Sequence, residues 1–223
     1  MIIAVEGADK SGKRTQVNKI VAYLRSKGID TEQMDFPRYS RSPWGDMAAA
    51  YLRGEYGAVM DIAPEYKMLP YSLDRMDFQK QLNEWLAAGK WVVFDRYTYS
   101  NAFSVAACNE SVWDEKIKYL ETMEFDWMGV RRPDLNIYLY VNPKVSFDLK
   151  GEALKDYQKN AKDIHEHNFD LLKRATDVYR KIANDNPNDW MVIDQGLPNG
   201  GRMTEEEVFD VIKDKLDNLI KNS

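Results

Sequence analysis

The sequence predicts an α/β domain in three layers, a parallel five-stranded sheet with helices on both faces. Three observations predict it. Five short apolar runs are bounded by turn residues, segments of helical periodicity separate them, and the first run passes through a glycine-containing loop directly into a helix. Helices between successive strands favour parallel pairing, because a parallel neighbour needs a long crossover. At 223 residues the chain suits a single domain spanning 1–223.

The strands are expected at Ile2–Glu6, Thr31–Phe36, Trp91–Asp95, Leu135–Val141 and Trp190–Asp194. Lys13–Lys27 reads as a helix closed by Gly28, and Trp44–Arg53 as one closed by Gly54. The stretch from Pro64 to Ala88 ends at Gly89 in the same way. Further helices are expected at Tyr99–Ala107, Trp113–Trp127, Asp163–Asn184 and Thr204–Lys221. The segment around 148–162 has few apolar residues and carries Lys150, Lys155, Lys159 and Lys162, so it reads as a mobile lid on the one domain.

Lys and Arg number 31 against 36 Asp and Glu, a formal charge of −5. A protein that neutralises many backbone phosphates shows a basic face, so a nucleic-acid polymer is not the expected partner. A small phosphorylated ligand needs only a few placed cations. Cys108 is the only cysteine, which excludes an intrachain disulfide and a cysteine-built zinc site and suits a reducing compartment. The start has neither the basic region nor the apolar core of a signal peptide, and no apolar run approaches the ~20 residues of a membrane span. A soluble, cytoplasmic protein is expected.

Ligands of parallel sheets bind beyond the carboxyl ends of the strands, and the unusual chemistry of this chain gathers there. Gly7-Ala8-Asp9-Lys10-Ser11-Gly12-Lys13 follows an apolar strand and opens a helix, as a phosphate-binding loop does. Its backbone N–H groups and the helix N-terminus would wrap the phosphates of a nucleoside triphosphate, with Lys13 reaching the outer ones. The strict pattern wants Ser or Thr directly after the lysine. Arg14 stands there instead, and Thr15 comes one later. Asp95 sits where a carboxylate would orient Mg²⁺ or its waters, and Arg96 could grip a second anion with its fork. Tyr71 and Arg75 are four apart on one helix face, where a ring can stack on a base and a guanidinium can donate to its carbonyl edge.

Taken together, Gly7–Gln16 with its internal Asp9, Phe36-Pro37-Arg38-Tyr39, Tyr71–Arg75, Asp95–Asn101 and Asp163–Glu166 resemble thymidylate kinases in order and spacing. The chain is most similar to bacterial members with Gly-Lys-Arg-Thr in the loop, a branch in which Arg14 is an ordinary variant. The resemblance implies a nucleoside-monophosphate-kinase fold with a lid, ATP as donor, dTMP as acceptor, Mg²⁺, and a homodimer. It implies that Asp9 serves the acceptor nucleotide and the metal network, with Asp95 and Glu166 as further metal residues. Arg96, Tyr39 and Arg38 would hold the dTMP phosphate, Tyr71 would stack on thymine, and Arg75 would donate to its O4. Phe36, Ser100, Asn101 and Phe103 would surround the nucleotide, and Asp163 and Glu166 would lie near its sugar. The lid carries lysines where arginines are expected, so Lys10 and Arg14 are read as catalytic cations beside Lys13. The acceptor is itself a phosphate, so no strong base is required, and neither His165 nor His167 is read as catalytic. Two other readings stand beside this one: a kinase for another nucleoside monophosphate or a deoxynucleoside, and a P-loop switch without turnover.

Overall fold

A computed structural model describes residues 1–57, 61–148, 168–198 and 200–222. The expected lid, with Asp163, Glu166 and both histidines, lies outside the described residues, apart from its first position. Five strands, β1 (Ile2–Glu6), β2 (Thr31–Asp35), β3 (Trp91–Asp95), β4 (Leu135–Tyr140) and β5 (Trp190–Asp194), form one sheet. Their order is β2-β3-β1-β4-β5 and every pairing is parallel. β1 is central, with Val5 level with Asp95 of β3 and Glu6 level with Tyr138 of β4. The loops leaving β1 and β3 therefore emerge side by side.

The period-two alternation of β1 divides its side chains between two cores. Ile3 and Val5 pack with Val17, Ile20 and Leu24 of α1 (Lys13–Ser26) and with Val208, Ile212 and Leu216 of α8 (Glu205–Asn222). Ile2 and Ala4 face the other way, toward Phe78 and Leu82 of α3 (Pro64–Ala87). A third cluster joins α4 (Ala102–Ala106), α5 (Trp113–Glu121) and α7 (Phe169–Asp185) beside Tyr138. Burial on both faces explains why β1 and β3 read as continuous apolar runs.

Strand positions match expectation to within one residue, while several helices differ. α2 (Pro43–Leu52) begins one residue early because Ser42 caps it, its side chain accepting from the Gly45 N–H. The helix expected at Tyr99–Ala107 is a 3-10 turn over Thr98–Asn101 followed by α4. The one expected at Trp113–Trp127 is α5 followed by a π turn over Thr122–Trp127. The short α6 (Pro143–Asp148) was not foreseen. Among the described residues, no helix is long and apolar enough to cross a membrane.

Candidate functional site

β1 ends at Glu6, and the chain turns through Gly7 into the phosphate loop. Gly7 has φ +149°, and a Cβ there would lie 2.8 Å from the Leu139 carbonyl oxygen of the neighbouring strand, so no side chain fits. Lys13 is buried, and its Nζ donates to the Ala8 carbonyl at 2.7 Å. The loop also has an outer brace. Its N–H groups can converge on a ligand only if its carbonyls turn away and find partners elsewhere. Arg202 donates Nη1 to the Lys10 carbonyl at 3.1 Å, and Gln195 donates Nε2 to the Ser11 carbonyl at 2.9 Å. The two braces are tied together, since Arg202 also donates Nε and Nη2 to Gln195 Oε1 at 3.0 and 2.7 Å. Arg14 is exposed at the start of α1, and Thr15 Oγ1 donates to Glu205 at 3.4 Å.

The second wall follows β3. Arg96 adopts φ 67°, an uncommon conformation for a non-glycine residue, and this turns its guanidinium back toward β1. Nη1 donates to the Gly7 carbonyl at 3.1 Å and Nη2 to the Asp9 carboxylate. Burial opposes its charge, but Asp9, with Tyr179, Asp95 and Glu6 nearby, outweighs burial and holds its pKa above the ordinary value. Glu6 holds the turn itself. Its carboxylate accepts from the Tyr97 N–H at 2.9 Å, Ser100 Oγ at 2.6 Å and Tyr179 OH at 3.1 Å. Burial pushes the Glu6 pKa up against those hydrogen bonds.

The far end is aromatic and more enclosed. Tyr71 stands edge-on to Tyr51, their centroids 6.3 Å apart, within a cluster that includes Tyr39 and Leu52. Phe36 packs edge-on to Phe78 at 5.7 Å, and the Phe36–Pro37 peptide is cis. Arg75 is almost wholly buried against Glu124, donating Nε to Oε2 at 2.8 Å and Nη2 to Oε1. Burial disfavours its charge, and Glu124 more than restores it, leaving the Arg75 pKa above the ordinary value.

One cleft of about 720 Å³ joins these parts. It is lined by Asp9, Lys10, Gly12, Lys13, Arg14 and Thr15 at one end and by Phe36, Tyr39, Tyr71, Arg75, Asn101 and Phe103 at the other. Asp95, Arg96 and Ser100 lie between. Gly7, Ala8 and Ser11 shape the loop without lining the cleft. Arg38 does not line it either, because its guanidinium is engaged by Asp74 and Asp77. Arg41 does line it, paired with Asp35 at 2.7 Å, and was not singled out in the sequence.

A cleft with a phosphate loop, a second anion grip and an aromatic far end is what a nucleotide-to-nucleotide phosphotransferase needs. The family model for thymidylate kinase matches residues 5–201. The chain belongs to the thymidylate kinase family. The thymidylate kinase of Mycobacterium tuberculosis is 33% identical over 187 residues, covering 82% of this chain and 86% of the relative. That of Plasmodium falciparum is 28% identical over 196 residues, covering 81% and 87%. The solved thymidylate kinase of Candida albicans superimposes with a TM-score of 0.75 at 20% identity, covering 100% of this chain and 93% of that one, which shows the shared fold. Within the family frame, Glu6, Glu124, Gln195 and Arg202, like Arg41, are residues that sequence reasoning missed. Glu124 had a signal: it continues the apolar stripe Trp113, Ile117, Leu120 at helical spacing, where a carboxylate demands a buried partner. Glu6 had a weaker one, as an acid ending a fully apolar strand.

Proposed function

We propose that this chain transfers the γ-phosphoryl group of ATP to the phosphate of dTMP, giving ADP and dTDP. The observation that carries this reading is Arg96, set in one continuous cleft between the phosphate loop and the aromatic pocket. A guanidinium there suits an acceptor that is already an anion, whereas a neutral hydroxyl acceptor would call for a base. The phosphate loop and Lys13 would bind the donor, with Lys10 and Arg14 adding positive charge near the transferred group. Arg96 and Tyr39 would hold the acceptor phosphate, Tyr71 would stack on the base, and Asn101, Phe103 and Ser100 would close around the nucleoside. Arg38 would serve from behind, fixing the loop after β2 to α3.

The donor set also suits Mg²⁺, which binds through one or two carboxylates with phosphate oxygens and water. Asp9 and Asp95 both line the cleft, and no group of three or more acidic, histidine or cysteine side chains gathers among the described residues. Those two carboxylates would hold the ion, with Glu166 joining on the strength of the resemblance. When bound, Mg²⁺ neutralises charge on the phosphates. We also propose, on family likeness alone, a homodimer in the cytoplasm.

ADP release measured in parallel with dTMP, dUMP, dCMP and thymidine tests the assignment. dTMP is expected to give the highest kcat/KM. A preference for thymidine over dTMP overturns it.

A further inference from the structure

Glu124 is buried in the π turn after α5 and touches no open part of the cleft. Five hydrogen bonds reach it from four side chains. Oε1 accepts from Ser72 Oγ at 2.7 Å, Asn101 Nδ2 at 3.1 Å and Arg75 Nη2, while Oε2 accepts from Arg75 Nε and Thr98 Oγ1, both at 2.8 Å. All five partners are donors, an arrangement that suits a carboxylate, which has acceptors only. Two of the four side chains, Arg75 and Asn101, also line the cleft.

This has a directional consequence. An amide can face Glu124 only with its NH₂ side, since its oxygen would meet a carboxylate oxygen. Nδ2 of Asn101 therefore turns inward, also reaching Ser72 Oγ at 3.4 Å, and Oδ1 accepts no hydrogen bond among the described residues. Arg75 has two of its three nitrogens on Glu124, and Nη1 takes no partner among the described residues. The pocket floor thus offers one acceptor beside one donor, with the polarity of Asn101 and the direction of Arg75 set from behind.

We propose that Glu124 is a positioning residue that sets the base specificity of the acceptor pocket, by locking Asn101 as an acceptor and by fixing the direction of the always-donating Arg75 guanidinium. This rests on the acceptor reading given above. Thymine and uracil present a ring N–H beside a carbonyl, which complements the pair. Cytosine presents a ring acceptor beside an amino group, so both contacts become like against like. Unpaired polar groups in a buried site are what give such discrimination its size.

The test compares kcat/KM for dTMP, dUMP and dCMP at saturating ATP in the wild type and Glu124→Gln. A neutral glutamine can donate to Asn101, which frees the amide to reverse. The preference for dTMP over dCMP is expected to fall by roughly tenfold or more, with the dTMP-to-dUMP ratio and the KM for ATP unchanged. A uniform loss across all three acceptors marks a purely structural role and overturns the inference. A wild type that prefers dTMP beside a variant with an unchanged dTMP-to-dCMP ratio overturns the inference alone. A wild type that prefers dCMP overturns the acceptor assignment as well. If Glu124→Gln does not fold, the wild type supplies the measurement. The Asn101 side-chain NH₂ protons should exchange slowly with solvent in NMR spectra, with and without dTMP, and fast exchange overturns the clamp.

Discussion

Arg38 gives its backbone N–H to Asp74 Oδ2 at 2.7 Å and its Nε to Asp74 Oδ1 at 3.0 Å, and it also pairs with Asp77. Asp74 is fully buried and receives the Ser42 hydroxyl as well, so Arg38 is its only cationic partner among the ion pairs of the described residues. Removing one member of a buried pair leaves an uncompensated charge. Arg38→Met should therefore cost about 3 kcal/mol in urea unfolding. Arg41 pairs with Asp35 at the exposed rim, and its side chain is 48% exposed. Arg41→Met should leave stability within about 0.5 kcal/mol and raise the KM for dTMP about threefold. An equal stability loss in both variants would contradict this division. Sequence reasoning placed Arg38 in the site because it stands in the right motif, yet a motif does not say which way a side chain turns. That direction is decided by Asp74, thirty-six positions away, and still longer separations hide the roles of Glu124, 49 positions from Arg75, and of Arg202, 192 from Lys10.

At the level of elements, α8 and the loop before it secure the donor end. Thr204 and Glu207 form a capping box: the Thr204 N–H donates to Glu207 Oε2 at 2.7 Å, and the Glu207 N–H donates to Thr204 Oγ1 at 3.2 Å. Gln16 Nε2 donates to the Glu205 carbonyl at 2.9 Å, which ties α1 to the same helix start. The backbone and hydroxyl of Thr204 hold the Glu207 pKa below its ordinary 4.5. A carboxylate with a depressed pKa stabilises the fold fully above its unfolded value and loses that contribution as pH falls through its folded value. Glu207→Ala should thus be less stable than wild type at pH 6, and the gap should close below pH 4.5, as measured by denaturant unfolding across that range. A gap that persists at pH 3 would mean that the charge is not its source. The brace just upstream makes a kinetic prediction. Arg202→Met frees the Lys10 carbonyl and should raise the KM for ATP by about tenfold while leaving the KM for dTMP unchanged. A change confined to the dTMP KM would refute that role. β1, β3 and β4 were legible because both their faces are buried, and the partly exposed edge strands β2 and β5 because turn residues bound them. The break of the Trp113–Trp127 helix into a π turn was not, since periodicity over fifteen residues does not separate 3.6 from a local excursion.

On the scale of the whole molecule, one geometric fact organises both substrates. β1 lies at the centre of the sheet with β3 beside it, and β2 lies beyond β3. Loops from their carboxyl ends supply the phosphate loop, Arg96 and Phe36–Tyr39 in turn, so donor and acceptor meet at one edge of the sheet. Their groups are nonetheless largely distinct: Lys13 belongs to α1 and Tyr71 and Arg75 to α3, and these helices pack on opposite faces. Binding to two such subsites should stabilise the fold in separable increments, each set by ligand concentration relative to its own Kd. At about 100 times Kd, dTMP should add about 2.7 kcal/mol to the unfolding free energy, and a non-hydrolysable ATP analogue a comparable amount. Lys13→Ala should keep the dTMP increment and lose most of the ATP one, each measured against the variant's own ligand-free baseline. If that variant loses both increments together, the two halves of the cleft are a single cooperative unit and the phosphate loop organises the acceptor pocket as well.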